Sequence, residues 1–457
     1  MMVKTCDEVQ PARMTSTTTD PETSPATNPE ILRASVAQAS ASLRPDRSAW
    51  TMIAGLLLVM TVCHGIISAG LPALDTAILA DLGITRGALK LRETIFLLSS
   101  GVSGLFVGLL TSRVRPSNIV LGGLVLLAAT LTAYGHARSI GQIYLLYVLL
   151  GLSFASSHVV IVVLMIRARF TALRTLATSI ALSGTSIGMA IFPSLTVMAL
   201  DHADWRSVLR MAALVPLAMV PIAALLVRSP PVERMVEKGG AAASGKRAPL
   251  LGAFATMPRR GLALGLLLVA TFGTFFASTA YLLNLFLFLQ DIGLTPSRAA
   301  LGLSLVFMTG LVGKVLVGAA AERWGTNRVW NSQQVLLLAG AAMLSLGGPA
   351  LAMGGLVLLG AGWAGCYVLT QVVIANSFAG PRLGQMTGAF IIFEAISSGS
   401  GVWVAGHLFD VFGSYRNGFI LCTVLIAVAT GAAWLFRRLV ERGHAEWHGG
   451  EALADRA

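Results

Sequence analysis

The sequence predicts an all-α integral membrane protein, with twelve transmembrane helices in two pseudo-symmetric six-helix bundles. Three observations predict it. Charge is scarce, apolar runs are of membrane-spanning length, and loop residues recur at a fixed interval. Of the 457 residues, 55% are hydrophobic and only 12% charged, with mean hydropathy +0.76. A soluble domain is about 25% charged. The shortfall excludes a soluble enzyme, a nucleic-acid binder and a disordered chain. Cys6, Cys63, Cys366 and Cys422 form no CxxC and no paired spacing, so neither a disulfide framework, a metal site nor a cofactor is expected. The 48 glycines suit close helix packing in a membrane.

Residues 1–48 are rich in Ser, Thr, Pro and Ala and lack an apolar segment near the start. They read as a disordered cytoplasmic tail, not a signal peptide. Apolar runs then follow at 50–72, 91–112, 118–137, 140–166, 174–198 and 207–228, giving a first bundle over 49–229. Residues 230–258 are a polar cytoplasmic linker. Six further runs at 261–289, 299–320, 330–352, 354–378, 384–408 and 417–436 give a second bundle over 259–437, with a tail over 438–457. Each run is about the 20 residues that a helix needs to cross a bilayer.

Orientation follows from the basic residues. The net charge is +12, from 33 Lys and Arg against 21 Asp and Glu. Alternate loops divide 24 basic residues against 8, leaving Lys314. The positive-inside rule places the richer side, with both termini, in the cytoplasm. The expected location is the bacterial inner membrane.

The repeat has an offset of 210 residues. Asp81-Leu-Gly-Ile-Thr85 aligns with Asp291-Ile-Gly-Leu-Thr295, Gly108-x4-Arg113 with Gly318-x4-Arg323, and Trp205-Arg206 with Tyr415-Arg416. Matches among loop residues are poorly explained by shared apolar composition. They indicate a duplicated six-helix unit. Two such halves place a substrate path between them, near the bilayer midplane.

The stretch Gly318-Ala-Ala-Ala-Glu322-Arg323-Trp-Gly325-Thr-Asn-Arg328 resembles the G-x3-[DE]-R-x-G-x-x-R signature of the major facilitator superfamily. The first-half copy, Gly108 to Arg113 and on to Pro116, has Ser112 where that family usually has Asp. The resemblance implies gating roles for Gly108, Arg113, Gly318, Glu322 and Arg323. Three further stretches resemble the monocarboxylate porter and oxalate/formate antiporter branch. They are His64-Gly65 through Asp81 to Arg86, Arg167 to Gly184 with Gly188, Pro193 and Trp205-Arg206, and Gly406-His-Leu-Phe-Asp410 through Arg416. The likeness implies alternating access and a small organic anion as substrate.

Lys314 stands nine residues before Arg323. That places it about 13 Å into the apolar core. An ionisable group there is expensive and functional by default. The resemblance implies an anion-binding Arg at this position of the eighth helix. Lys supplies a point charge without the planar fork. Glu394 lies twelve residues after Arg382 and again near the midplane. A carboxyl charged in only some conformations can couple protons to transport. A plain packing role, or a permanent pair with Lys314, is the competing reading. His64 suits substrate binding and His158 a proton relay, although either suits hydrogen-bonded packing. Tyr281, Asn284, Tyr367, Gln371 and Asn376 are polar positions from which a cavity could be lined. Arg92 and Glu93 read as an interfacial ion pair.

Two motif matches mislead. Gly184-Thr-Ser186-Ile-Gly188 fits GxSxG but lies in an apolar helix, where it reads as GxxxG packing. Gly240 to Arg247 nearly fits a phosphate-binding loop, but Arg247 replaces the required Ser or Thr. The expectation is therefore a monomeric carrier of a small molecule, with protons as a possible co-substrate. An efflux carrier for neutral or cationic compounds is the alternative. No nucleophile–base pair or HExxH cluster points to an enzyme.

Overall fold

A computed structural model describes residues 47–111, 113–157, 159–170, 173–228, 260–346, 349–378 and 382–454. These are almost entirely helical. In chain order the helices are α1 Arg47–His64, α2 Asp75–Leu82, α3 Arg86–Leu110, α4 Pro116–Tyr134, α5 Ile140–Ser156, α6 Val159–Arg169, α7 Arg174–Leu200 and α8 Trp205–Leu226. The second half holds α9 Arg260–Asp291, α10 Pro296–Trp324, α11 Thr326–Leu346, α12 Pro349–Ser377, α13 Arg382–Phe412 and α14 Tyr415–Ala454.

Among the described residues, eleven spans are long and apolar enough to cross a membrane. The twelfth is α11, whose 21 residues include the buried polar residues Asn331, Gln333 and Gln334. The first span is longer than the sequence suggests and runs over Ser48–Leu82. α1 passes through a π-helical turn, Gly65–Gly70, and a 3-10 turn at Pro72–Leu74 before α2 resumes. A wide turn of this kind re-aims the helix where Pro72 removes a backbone donor.

The repeat has a structural basis. Gly83 and Gly293 both take positive φ, 59° and 94°, which glycine tolerates without steric cost. Two residues on, the Thr85 and Thr295 hydroxyls accept the backbone N–H groups of Ala88 and Arg298 as helix N-caps. The GxxxG reading of α7 also has a geometric counterpart. A Cβ on Gly188 would stand 2.1 Å from the Thr61 carbonyl oxygen, so α1 and α7 meet backbone to backbone.

The halves meet at the end of the molecule opposite the start of α1. Gln290 reaches Thr76, and Arg86 forms a bidentate pair with Asp291 at 2.5 and 2.8 Å. The Asp410 carboxylate accepts the backbone N–H groups of Arg86 and Gly87 at the start of α3. Thr94 donates to the Gly399 carbonyl, and Ser304 to that of Ala190. Among the described residues, no hydrogen bond between halves joins the opposite end, around 111–115 and 323–328. There the Cβ positions of Gly108 and Gly318 face open space.

Candidate functional site

Midway along the helices of the second half, one face of α12 carries a row of polar and aromatic side chains. Trp363, Tyr367 and Gln371 recur at i, i+4 and i+8, so they stack along the helix over about 12 Å. All three are partly exposed, whereas Ala364, Cys366 and Thr370 between them are buried. Phe307 of α10 packs edge-on to Trp363, and Phe275 of α9 lies beside Tyr367.

A cation stands at one end of this face. Lys314 Nζ lies 5.5 Å from the Trp363 ring centroid. It donates to the hydroxyls of Ser186 at 3.0 Å and Thr185 at 3.3 Å, both on α7 of the other half. Among the described residues, no carboxylate lies within 4.0 Å of it. The competing reading, a permanent pair with Glu394, is therefore not met in this conformation. At the other end, Glu394 is only 8% exposed, and Gln371 Nε2 reaches both carboxylate oxygens at 2.8 Å. One neutral amide is a modest partner for a buried carboxylate.

The other candidates divide by environment. Tyr281 and Asn284 are fully buried. The Tyr281 hydroxyl is within hydrogen-bond distance of the Phe419 and Ala341 carbonyls and of Thr423. Asn284 donates to the Ala280 and Val402 carbonyls and accepts from Tyr415. Both tie helices together instead of facing a cavity. His64 is buried at the π-turn, its ring 4.4 Å from that of Phe154. Asn376 is exposed near the end of α12. Arg113, Glu322 and Arg323 are exposed, and among the described residues none forms an ion pair. His158, Ser112 and the Gly240 to Arg247 loop lie outside the described residues.

The expected interfacial pair of Arg92 and Glu93 is instead part of a buried cluster. Arg92 and Lys90 both bind Asp75, and Arg92 also reaches Glu93 and the Tyr134 hydroxyl. Lys90 bonds the Leu283 carbonyl of the other half as well. All four charged side chains are 2% exposed or less. The eight basic residues on the poorer side of the loop count are Arg86, Lys90, Arg92, Arg138, Arg206, Arg210, Arg298 and Arg416. Burial removes Lys90 and Arg92 from that count, which strengthens the bias. The missed signal was the helical spacing of Lys90 and Glu93, which puts them on neighbouring faces of one turn.

The family model described as Major Facilitator Superfamily matches residues 56–397 and again 267–452, and the chain belongs to that superfamily. A gallate transporter of Pseudomonas putida is 26% identical over 369 residues, covering 74% of this chain and 79% of that protein. Two solved structures share the fold. A D-xylose-proton symporter has a TM-score of 0.66 at 13% identity, over 85% of this chain and 96% of its own. The human organic anion transporter MFSD10 (TETRAN) has 0.60 at 14%, over 84% and 99%. The chain is a multi-pass membrane transporter of small molecules, not an enzyme.

Proposed function

We propose that this superfamily member carries a small organic anion, a monocarboxylate with an aromatic or similarly planar body, by alternating access. The observation that carries the reading is Lys314: a mid-helix ammonium with hydroxyl and aromatic partners and, among the described residues, no carboxylate within 4.0 Å. An incoming carboxylate supplies the missing countercharge, displacing the Ser186 and Thr185 hydroxyls. Its body lies along Trp363 and Tyr367. The gallate transporter relative supports this, since gallate is an aromatic carboxylate. The resemblance to the monocarboxylate branch supports it independently.

Lys314 belongs to the second half and its hydroxyl partners to the first, so occupancy of the site changes what holds the halves together at mid-depth. Glu394, held by Gln371, is the proposed proton site. The Arg86–Asp291 and Asp410 contacts form the closed face, which the positive-inside count assigns to the outside. Rocking of the halves breaks them.

Uptake by proteoliposomes tests the reading. Wild-type protein is expected to accumulate labelled benzoate-type acids, and Lys314→Ala to lose at least about tenfold of the rate, or about 1.4 kcal/mol. Equal uptake by Lys314→Ala would remove the anion site. Preference for cationic compounds would favour an efflux carrier.

A further inference from the structure

Away from the transport path, a groove of about 480 Å³ opens between α11 and α14 at the end carrying Arg437. Arg328, Asn331, Ser332 and Arg437 line it together with Trp434 and Gly431. Its chemistry is graded. Arg328 and Arg437 stand at one end, and Arg438 stacks 3.7 Å from the Trp434 ring. One turn or more deeper are Val335, Thr430 and Gly431. The Cβ position of Gly431 faces open space, which leaves a smooth floor.

The charges in the groove are not balanced. Arg328 and Arg437 share one carboxylate, Glu441, at 3.8 and 3.5 Å, longer than a charge-assisted hydrogen bond. Behind the lining, Arg437 Nε and Asn331 Oδ1 are buried and lack a hydrogen-bond partner among the described residues. The Asn331 amide orientation is fixed, because its nitrogen donates to the Asn327 and Ala433 carbonyls. The groove therefore offers guanidinium donors and an apolar floor leading into the membrane. A free anion uses only the first of these.

We propose that this groove binds an anionic phospholipid with a hydroxyl-bearing headgroup, in the leaflet on the side of the chain termini. The phosphodiester meets Arg328 and Arg437, and a headgroup hydroxyl reaches the exposed Ser332 hydroxyl between them and the floor. One acyl chain lies over Gly431 and Val335. Trp434 sits at headgroup level, where indole rings concentrate. Basic pockets between transmembrane helices suit such headgroups.

Native mass spectrometry of the full chain, released from detergent with defined lipids, tests this. Phosphatidylglycerol is the probe, phosphatidylcholine the zwitterionic control and glycerol 3-phosphate the soluble headgroup control. The expected result is at least about tenfold more phosphatidylglycerol retained than phosphatidylcholine, with no retention of glycerol 3-phosphate. Arg328→Gln with Arg437→Gln is expected to remove the preference. Gly431→Leu, which fills the floor and leaves the charges intact, is expected to lower retention several-fold. Equal retention of both lipids by wild-type protein overturns the proposal. So does a preference that survives both variants, or glycerol 3-phosphate binding as tightly as the lipid. The double Arg variant is judged on protein that elutes as wild type in gel filtration. If it does not, the Gly431→Leu result alone decides.

Discussion

The two halves carry their buried charges in opposite places. At the 210-residue offset, Asp75, Lys90, Arg92 and Glu93 of the first half correspond to Leu285, Ala300, Gly302 and Leu303 of the second. Where the first half holds a four-charge cluster, the second packs apolar side chains. Leu285 and Ala300 are fully buried, and the Gly302 Cβ position is 2.6 Å from Leu289. At mid-depth the relation inverts. Lys314 corresponds to Gly104, Glu394 to Gly184, and Trp363 to Ser153. Gly184 packs on the Leu57 carbonyl, and Ser153 donates to that of Gly123. The fold tolerates either occupant at either depth, so the charges are not a requirement of the architecture.

The partners of these charges differ as well. In the first-half cluster, two cations face two carboxylates, with Tyr134 and the Leu283 carbonyl satisfying the remainder. That cluster is closed on itself and joins the halves. Among the described residues, Lys314 and Glu394 have neutral partners alone. On the proposed reading, a charge with its countercharge in place is structural and a charge without one is open to a ligand.

The largest expected effect tests the closed cluster. Asp75→Asn removes the carboxylate shared by Lys90 and Arg92, at a cost of about 3–5 kcal/mol. Thermal unfolding of the purified protein in detergent checks this. Substituting all four positions with their second-half counterparts, Leu, Ala, Gly and Leu, is expected to recover most of the loss, since apolar replacement of a buried ion network is often neutral. Equal instability of the two variants would mean that charge balance is not what the cluster supplies.

Glu394→Gln comes next. Proton-driven accumulation is expected to fall at least about tenfold, about 1.4 kcal/mol, while counterflow exchange continues. Accumulation unchanged under a pH gradient would return Glu394 to a packing role. Tyr281→Phe removes one hydroxyl from a buried network and is expected to cost about 1 kcal/mol of stability with no change in substrate preference. A changed preference would place Tyr281 in the site after all. Smallest in stability is Arg86→Gln, which breaks a half-exposed pair worth about 0–1 kcal/mol. Its consequence is conformational. A cysteine introduced at Leu287, in the cleft beside Arg86 and Asp291, should react faster with a maleimide when Arg86 is replaced. An unchanged rate would show that this pair does not hold the face shut.

Much of the fold was legible because its signals are one-dimensional. Run length gave the spans, and the repeat was readable because Gly83 and Gly293 turn the chain with the same left-handed glycine before the same Thr cap. The first span is longer than its apolar run of 50–72, because run length stops where the residues turn polar. The chain instead bends through a π-turn and buries Asp75. A charge near a span boundary reads as a loop residue, as Lys90 and Arg92 do in the sequence, and only packing against α2 reveals the cluster. At the site, depth from the boundary placed Lys314 and Glu394. Their partners depend on helix rotation, which periodicity in uniformly apolar helices does not set. In the sequence Trp363 reads as one more apolar residue, although its i, i+4, i+8 spacing with Tyr367 and Gln371 is visible there. Tyr281 and Asn284 were chosen for polarity alone, and the structure gives that polarity to helix packing.

Trp363 beside Lys314 permits the most direct measurement. Tryptophan fluorescence of purified protein is titrated with 3,4,5-trihydroxybenzoate, using Trp363→Phe to isolate the local signal and Lys314→Ala to remove the charge. The account predicts a saturable change that Trp363→Phe abolishes, with affinity at least about tenfold weaker in Lys314→Ala when read by equilibrium dialysis. Equal affinity in wild type and Lys314→Ala would contradict it, leaving Lys314 as a packing residue and the second half without its anion site.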